Sequence, residues 1–488
     1  MAGLLGGDHW HNKIYSNGWI DSAGGVLKVT EPATGEVLAG VGLANASDID
    51  RAAERAAAAA QPGWAAVVGP ERAAVFRKAA MLLDENRAEI VRWLVRETGS
   101  TQLKAGFEVE LSLAELWEAA ALPTQPSGQV LPSASEARHS IAYRVPLGVV
   151  GVITPWNFPL YLALRAVAPA LALGNAVVLK PDEQTAVVGG VALAELFERA
   201  GLPDGVLQVM AGDAEPGQAL CENPRVAMVS FTGSSEVGRM VGASAGRTLK
   251  RLSLELGGNN ALIILDDADL DVASSAGAWG AFAHQGQICM AAGRHIVLES
   301  VADEYIDRIA KRAAALTVGD PNKSDVALGP LINERQAANA ERIVTQTIAA
   351  GAALRAGGTR DGLFFQPTVL AGVTAAMPAF REEIFGPVAP VIVVGDEDEA
   401  IAAANDTEYG LVAAVQTGSP ERGHALAQRL RTGVVHVNDQ TVNVDNFSPF
   451  GGIGASGNGS RFGAPTSWDE FTQWRWVTSR AKAQGYPF

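Results

Sequence analysis

The chain has two cysteines in 488 residues, and only one has neighbours suited to chemistry. Cys289 lies in His284-Gln-Gly-Gln-Ile-Cys289-Met-Ala-Ala-Gly-Arg294. Polar and glycine neighbours suit a loop or a helix N-terminus, where a thiolate is favoured and can act as a nucleophile. Cys221, in Leu-Cys-Glu-Asn-Pro, reads as a small buried hydrophobe. Glu255 precedes Cys289 by 34 positions and is flanked by Leu254, Leu256, Gly257 and Gly258. That setting draws a carboxylate away from the surface, where a lone Glu otherwise sits.

Three glycine patterns compete with this pair. Gly452-Ile-Gly454-Ala-Ser-Gly457 has the spacing of a dinucleotide fingerprint, but it does not sit between a strand and a helix, the context that mechanism needs. Gly242-Ala-Ser244-Ala-Gly246 has the spacing of a nucleophile elbow and defines the rival class, a serine hydrolase using Ser244. It falls where a helix ends and not directly after a strand, so a small-residue helix terminus is the better reading. Gly233-Ser-Ser-Glu-Val-Gly238 follows a strand and opens a helix. It continues Arg239-Met240 where a nucleotide triphosphatase loop has Lys-Ser/Thr, yet its N–H groups could hold a pyrophosphate.

The elements around these residues alternate. Short apolar strands are expected at Val149 to Ile153, Ala176 to Leu179, Val206 to Met210, Ala227 to Phe231 and Leu252 to Leu254. Helices are expected at Gln184 to Arg199, Glu215 to Glu222 and Ser235 to Ala245. Such alternation implies a parallel sheet covered on both faces, binding ligands beyond the carboxyl ends of its strands. Asn157, Lys180, Thr232-Gly233 and Glu255 lie at those ends. Upstream, Ser47 reads as the N-cap of an Ala-rich helix stopping near Pro62-Gly63, and a second helical stretch runs from Pro70 to a terminator at Gly99. Ile141, Tyr143 and Val145 alternate with Ser140, Ala142 and Arg144, the pattern of a half-buried strand. A second α/β stretch spans Ala261 to Val435, and the last fifty residues turn Gly-rich and then Trp-rich.

Bulk properties exclude several classes. A net charge of −15 with no basic run argues against a nucleic-acid partner. Two cysteines exclude a disulfide framework and a Cys-rich zinc site, and seven scattered histidines give no metal cluster. The N-terminal stretch from Met1 to Trp10 shows no secretory signal. Residues 145–164 are uncharged over membrane-spanning length, but Pro146, Pro155 and Pro159 break a helix there, so buried strand plus loop is expected and no membrane span. A cytoplasmic location is the default.

Seven motifs in order resemble the aldehyde dehydrogenase superfamily over nearly the whole chain: Pro155-Trp156-Asn157-Phe158-Pro159, Leu179-Lys180-Pro181-Asp182-Glu183, Phe231-Thr232-Gly233-Ser234, Leu254-Glu255-Leu256-Gly257-Gly258, Gly286-Gln287-Ile288-Cys289, Glu383-Ile384-Phe385-Gly386-Pro387 and Pro449-Phe450-Gly451-Gly452. The resemblance implies an α/β fold in three parts. These are a Rossmann-type NAD-binding domain (1–124 and 147–257), an α/β catalytic domain (258–457) and a β bridging arm (125–146 and 458–488) that makes homodimers or homotetramers.

It further implies that Cys289 attacks the aldehyde carbon, that Asn157 and the Cys289 N–H hold the oxyanion, and that Glu255 activates water. NAD, with NADP as the second option, would lie against Ile153, Thr154, Pro155, Trp156, Lys180, Glu183, Thr232, Gly233, Ser234, Leu256, Glu383 and Phe385. Glu183 favours NAD, since a carboxylate beside the ribose repels a 2′-phosphate. Where many members carry a relay Lys and Glu, this chain has Ala166 and Arg461. A finer resemblance is to bacterial benzaldehyde dehydrogenases. It rests on Val149 to Ile153, the Gly-Gly-Asn-Asn ending at Asn260, His284 to His295, Val435 to Gln440, Gly452 to Gly457 and the terminal Tyr486-Pro487-Phe488. It implies an aromatic aldehyde in a pocket of Phe158, Tyr161, Arg165, Ile288, Met290 and Phe447. The alternatives are vanillin-, salicylaldehyde- or semialdehyde-type substrates.

Overall fold

The computed structural model describes residues 3–463 and 465–488; Met1, Ala2 and Ala464 lie outside them. Five strands, β1 (Val149–Ile153), β2 (Ala176–Lys180), β3 (Leu207–Val209), β4 (Val226–Thr232) and β5 (Arg251–Glu255), pair in parallel in the order β5-β4-β1-β2-β3. Lys13–Ser16 and Trp19–Asp21 extend the sheet antiparallel at the β3 edge. β1 and β2 are buried at every position, as apolar strands covered on both faces must be. The strand order reverses between β1 and β4. At that point the two halves of a doubly wound sheet open a crevice at their carboxyl ends.

A second sheet follows: β6 (Ala261–Ile264), β7 (Arg294–Leu298), β8 (Thr368–Ala371), β9 (Val388–Val394), β10 (Val412–Gln416) and β11 (Val434–Val437), ordered β8-β9-β7-β6-β10-β11 and all parallel. Ala353–Ala356 closes the β8 edge antiparallel. Residues 256–260 run from the carboxyl end of β5 directly to the amino end of β6. The chain therefore brings the ligand-binding edge of the first sheet against the amino edge of the second.

Five helices matter for the site: α1 (Gln102–Ala121), α2 (Pro159–Ala172), α3 (Ala214–Glu222), α4 (Ser235–Arg247) and α5 (Leu270–Phe282). α2 is buried at all fourteen positions, so it is wrapped by protein and not amphipathic. The uncharged stretch 145–164 resolves into the end of one strand, β1, a loop and the start of α2. No helix among the described residues is long and apolar enough to cross a membrane.

Several local expectations need correction. The N-cap of the first helix is Asn45 and not Ser47: Asn45 Oδ1 accepts from Asp48 N–H while Asp48 reaches back to the Asn45 N–H, a capping box invisible to a search for the last polar residue. The stretch from Pro70 is two helices, Gly69–Glu85 and Arg87–Thr98, joined at Asn86, whose side-chain amide donates to the Leu82 carbonyl. It does end at Gly99, at φ +69°. The segment 184–199 begins as two irregular turns before Ala192–Ala200 becomes α-helical.

The alternating strand, Arg138–Pro146, pairs with Thr472–Arg480 over nine residues and with Gly128–Val130 on its other side. Its inward residues are Ser140 and Ala142, while Ile141 is exposed. The small residues share their face with the largely exposed Trp476, which stands opposite Ala142 and donates its indole N–H to Ser140 Oγ at 2.9 Å, while Ile141 and Val477 pair on the other face and are exposed, so the ordinary half-buried pattern does not hold.

Candidate active site

The thiol is positioned by an unusual turn. After α5, His284, Gln285 and Gly286 all take left-handed backbone angles, with φ of +48°, +57° and +68°. Such a run costs free energy at the two non-glycine positions and persists because its surroundings hold it. Gln285 Nε2 donates to the Gly99 carbonyl, and the Ile332 N–H donates to Gln287 Oε1. A Cβ on Gly286 would stand 2.2 Å from the Gly386 carbonyl oxygen, so only glycine closes the turn. Past it, Asn260 Nδ2 donates to the carbonyls of Cys289 and Ala291, both at 2.8 Å. A Cβ on Gly258 would lie 2.6 Å from the Cys289 carbonyl oxygen, which explains the glycine pair after Glu255.

Asn157 comes from the loop after β1. Its Nδ2 donates to the Gln287 carbonyl at 2.9 Å, leaving one amide hydrogen of that nitrogen for another acceptor, while Oδ1 is buried without a partner. A buried ion pair holds this loop: Lys104 and Glu108 bond each other on α1, Lys104 Nζ donates to the Asn157 carbonyl at 2.7 Å, and Glu108 accepts from the N–H groups of Leu160 and Tyr161. Removing one partner of such a pair costs about 3–5 kcal/mol, because it strands the other charge. The motif scan passed over this pair; its signal, Lys and Glu four apart on a helix, is shared with countless surface pairs.

One cleft of about 980 Å³ runs along the carboxyl ends of the first sheet. All twelve expected cofactor residues line it: Ile153, Thr154, Pro155, Trp156, Lys180, Glu183, Thr232, Gly233, Ser234, Leu256, Glu383 and Phe385. Asn157 and Cys289 lie at its inner end. Asp182, Asp213, Gly217, Met240 and Arg335 line it too and were not among the expected cofactor residues; Asp182 stood inside the Lys180–Glu183 motif, whereas Asp213, Gly217 and Arg335 belong to no motif.

The cleft fits a dinucleotide. Ser234 is the N-cap of α4, accepting from the Val237 N–H at 3.3 Å, so the first helical turn presents its unpaired N–H groups to an anion. Gly233 and Gly238 are required there, since a Cβ would meet the Phe231 ring at 2.5 Å or Leu256 at 2.4 Å. Lys180 is buried; desolvation pushes its ammonium below the usual value against the pull of Asp182, Glu183 and Asp213. At the inner end Trp156 and Phe385 meet edge to face, 5.4 Å between centroids. Glu383 accepts from the Gly258 N–H at 2.8 Å, and burial raises its carboxyl to about 7.

Glu255 stands apart from the cleft wall. It is 3% exposed with Oε1 unpaired, and it makes no hydrogen bond to Cys289. Burial raises it to about 8, opposed first by the charge of Arg165 and then by Arg461. Cys289 is half-buried; desolvation raises its thiol to about 12, opposed by Arg165 and by its own backbone N–H, which faces the sulfur.

On the far side of Cys289, Phe158, Tyr161, Ile288 and Met290 pack with Leu111, Leu162, Val442 and Phe450 in one buried cluster that the thiol touches. Arg165 is buried beside it, over the ring of Phe450. Phe447 is the exception: it is 63% exposed and outside the cluster, because its neighbour Asn446 turns inward to accept the Tyr161 hydroxyl proton at 2.8 Å. The pocket expectation is corrected there. Phe450, counted among the motifs, is the aromatic that joins this cluster in its place.

The rival sites resolve plainly. Ser244 lies inside α4, one residue in a regular helix, and its hydroxyl has no hydrogen-bond partner, so no base activates it. The Gly452 to Gly457 loop folds back on the β5 end, with the Leu256 N–H donating to the Ser456 carbonyl at 2.9 Å and Gly457 bridging Glu255.

Residues 19–477 match the aldehyde dehydrogenase family. The chain is 50% identical over 479 residues to a benzaldehyde dehydrogenase [NAD(+)] of Pseudomonas putida, covering 98% of each chain. It is 53% identical over 486 residues to a vanillin dehydrogenase of an Amycolatopsis species, covering 99% of this chain and 100% of the other. A crystal structure of betaine aldehyde dehydrogenase from Staphylococcus aureus in complex with NAD+ superposes with a TM-score of 0.95 at 30% identity, over 99% of this chain and 97% of that one. The chain belongs to the aldehyde dehydrogenase family.

Proposed function

We propose that this family member oxidises an aromatic aldehyde of the benzaldehyde or hydroxybenzaldehyde type to its carboxylic acid, with NAD as the preferred cofactor. One observation carries the reading: the Cys289 thiol lies in the dinucleotide cleft and packs on a buried cluster that includes Phe158, Tyr161 and Phe450. A flat ring bearing an aldehyde suits such apolar, aromatic surroundings, with its carbonyl against the sulfur. The names of the two similar dehydrogenases point the same way.

In this reading Cys289 loses its thiol proton to solvent and Sγ bonds to the aldehyde carbon as the C=O π pair moves onto oxygen. The resulting oxyanion accepts hydrogen bonds from the second Asn157 Nδ2 hydrogen and the Cys289 backbone N–H. The nicotinamide, when bound, accepts the hydride that leaves this carbon. A thioester remains. Glu255 then takes a proton from water, whose oxygen attacks the acyl carbon; the C–S bond breaks, the acid leaves, and the thiolate is restored. Lys180 and Glu183 would hold the adenosine ribose, the α4 N-terminus would take the pyrophosphate, and Glu383 and Phe385 would hold the nicotinamide-side ribose, with Thr232 toward the nicotinamide. Glu183 repels a 2′-phosphate.

Exposed Ile141 and Val477 on one face of the three-stranded arm, with exposed Trp474 and Trp476 on the other, support assembly into a dimer or tetramer. Thr472–Arg480 is an edge strand, and so is β11 of the second sheet. Open edges of this kind are paired or covered in stable proteins.

The test is a panel of initial rates with benzaldehyde, 4-hydroxy-3-methoxybenzaldehyde, 2-hydroxybenzaldehyde and succinate semialdehyde, each with NAD and NADP. The expected result is kcat/KM at least about tenfold higher for an aromatic aldehyde with NAD than for the semialdehyde. A preference for the semialdehyde overturns the substrate assignment.

A further inference from the structure

Arg165 has no counterpart in the chemistry described so far. It is 5% exposed, yet among the described residues it forms no ion pair, and only Coulombic attraction links it to Glu255 and to Glu115. A buried guanidinium is ordinarily fork-bonded to a carboxylate. Here it is instead sandwiched against aromatic faces, 4.7 Å from the Phe462 centroid and 5.2 Å from that of Phe450.

Its place in the fold is informative. On α2 it continues the face of Phe158, Tyr161 and Leu162, at helical spacing from Asn157. Phe450 and Phe462 pair with each other across an isolated bridge and bracket Gly451 and Arg461. A Cβ on Gly451 would lie 2.8 Å from Glu255 Oε1 and 2.9 Å from Arg461 Nη1, so this corner is where the unpaired carboxylate oxygen ends. Arg461 Nη1 is already engaged by the carbonyls of Gly452 and Ser460. Ala166 offers no charge.

We propose that Arg165 is a positioning residue for the hydrolytic half of the reaction: its guanidinium, held on Phe450 and Phe462 without a carboxylate of its own, keeps Glu255 ionised and so able to take the proton of the attacking water. The inference rests on the reading of Cys289 and Glu255 given above. The groups facing Glu255 are Arg165 from α2, Arg461 from the loop beyond Gly451, Glu470 from the helix Thr466–Phe471, the Gly452 N–H, and Cys289 across the cavity. Arg165 is the largest charge opposing the burial of Glu255, and it opposes that of Cys289 and Glu115 as well. Desolvated and opposite charges act on a carboxyl group in opposite directions, so losing the cation makes Glu255 harder to ionise.

The experiment compares R165Q and R165K with the native enzyme by pre-steady-state NADH formation and by the pH dependence of thioester hydrolysis, using benzaldehyde and 4-hydroxy-3-methoxybenzaldehyde. R165Q is expected to keep the burst of NADH while hydrolysis at pH 7 falls about tenfold, with its acid limb about one unit higher. R165K is expected to keep the limb near its native position. An unmoved limb in R165Q overturns the proposal, as does an R165K enzyme retaining less than a tenth of native hydrolysis; the latter arm stands even where R165Q fails to fold. A change confined to KM for the ring-substituted aldehyde also overturns it, and assigns Arg165 to substrate recognition. Failure of the underlying reading looks different: it removes the burst's dependence on Cys289, which C289S reports.

Discussion

The two ends of the cleft each carry a cysteine, and the pair is instructive. Cys221, on α3, and Cys289 both line the same cavity. Burial raises both thiols, to about 11 and about 12, so in proton affinity the better candidate nucleophile would be Cys221. Their company decides otherwise. Cys221 is 2% exposed in an apolar cluster with Leu220, Ile153 and Val229. Cys289 has an amide hydrogen from Asn157 and its own N–H for an oxyanion, a carboxylate with an unpaired oxygen nearby, and a buried cluster containing Phe158, Tyr161 and Phe450 against it. A nucleophile is marked by the groups waiting for its product, and less by the resting acidity of its thiol.

The comparison breaks most sharply on exchange of sulfur for oxygen. C289S is expected to lose about 10⁴-fold or more in NADH formation, since a serine hydroxyl beside so weak a base is seldom ionised. Retention of near-native turnover would move the chemistry elsewhere. The next effect belongs to the base. E255Q is expected to slow thioester hydrolysis by about 10²–10⁴-fold, with acyl-enzyme accumulating at Cys289 and visible by intact mass. In the native enzyme a carboxyl raised to about 8 is protonated below that pH and ionised above it. Hydrolysis therefore climbs as pH rises through about 8, and E255Q lacks that limb. The smallest effect is at the other end of the cleft. C221S is expected to leave kcat within about twofold and to lower unfolding free energy by about 1–3 kcal/mol, the cost of an unpartnered hydroxyl among apolar side chains, measured by urea denaturation. Loss of turnover in C221S at unchanged stability would erase the distinction between the two thiols.

The regular parts of this fold were legible in the residues. The five strands of the first sheet fall within a residue or two of their expected positions; β1 and β2, buried throughout, are near-continuous apolar runs, and β5 was marked by Leu252 and Leu254. Lys180 and Thr232 stood at strand ends and were singled out for that reason, whereas Glu383 and Phe385 entered only through the family motif. Asn446 and Phe447 show the limit: which of two adjacent loop residues points inward depends on a bond to Tyr161, 285 positions away. Ile141 was misjudged for the same cause, since its strand partner Val477 lies 336 positions away, whereas the Asn45 cap was missed locally, because its partner Asp48 stands three residues on and Ser47 between them is the more obvious cap.

The order of motifs and the alternation of strands and helices along the chain were enough to place a thiol, a carboxylate and an amide on a family framework, since periodicity and glycine spacing are local properties. What the amino acids could not announce is how near those groups come, and in what dielectric. The unpaired oxygen of Glu255, the left-handed turn before Cys289 and the guanidinium stacked on Phe450 and Phe462 exist only once the carboxyl edge of one sheet has closed on the amino edge of the other, because desolvation and charge act through space and not along the chain.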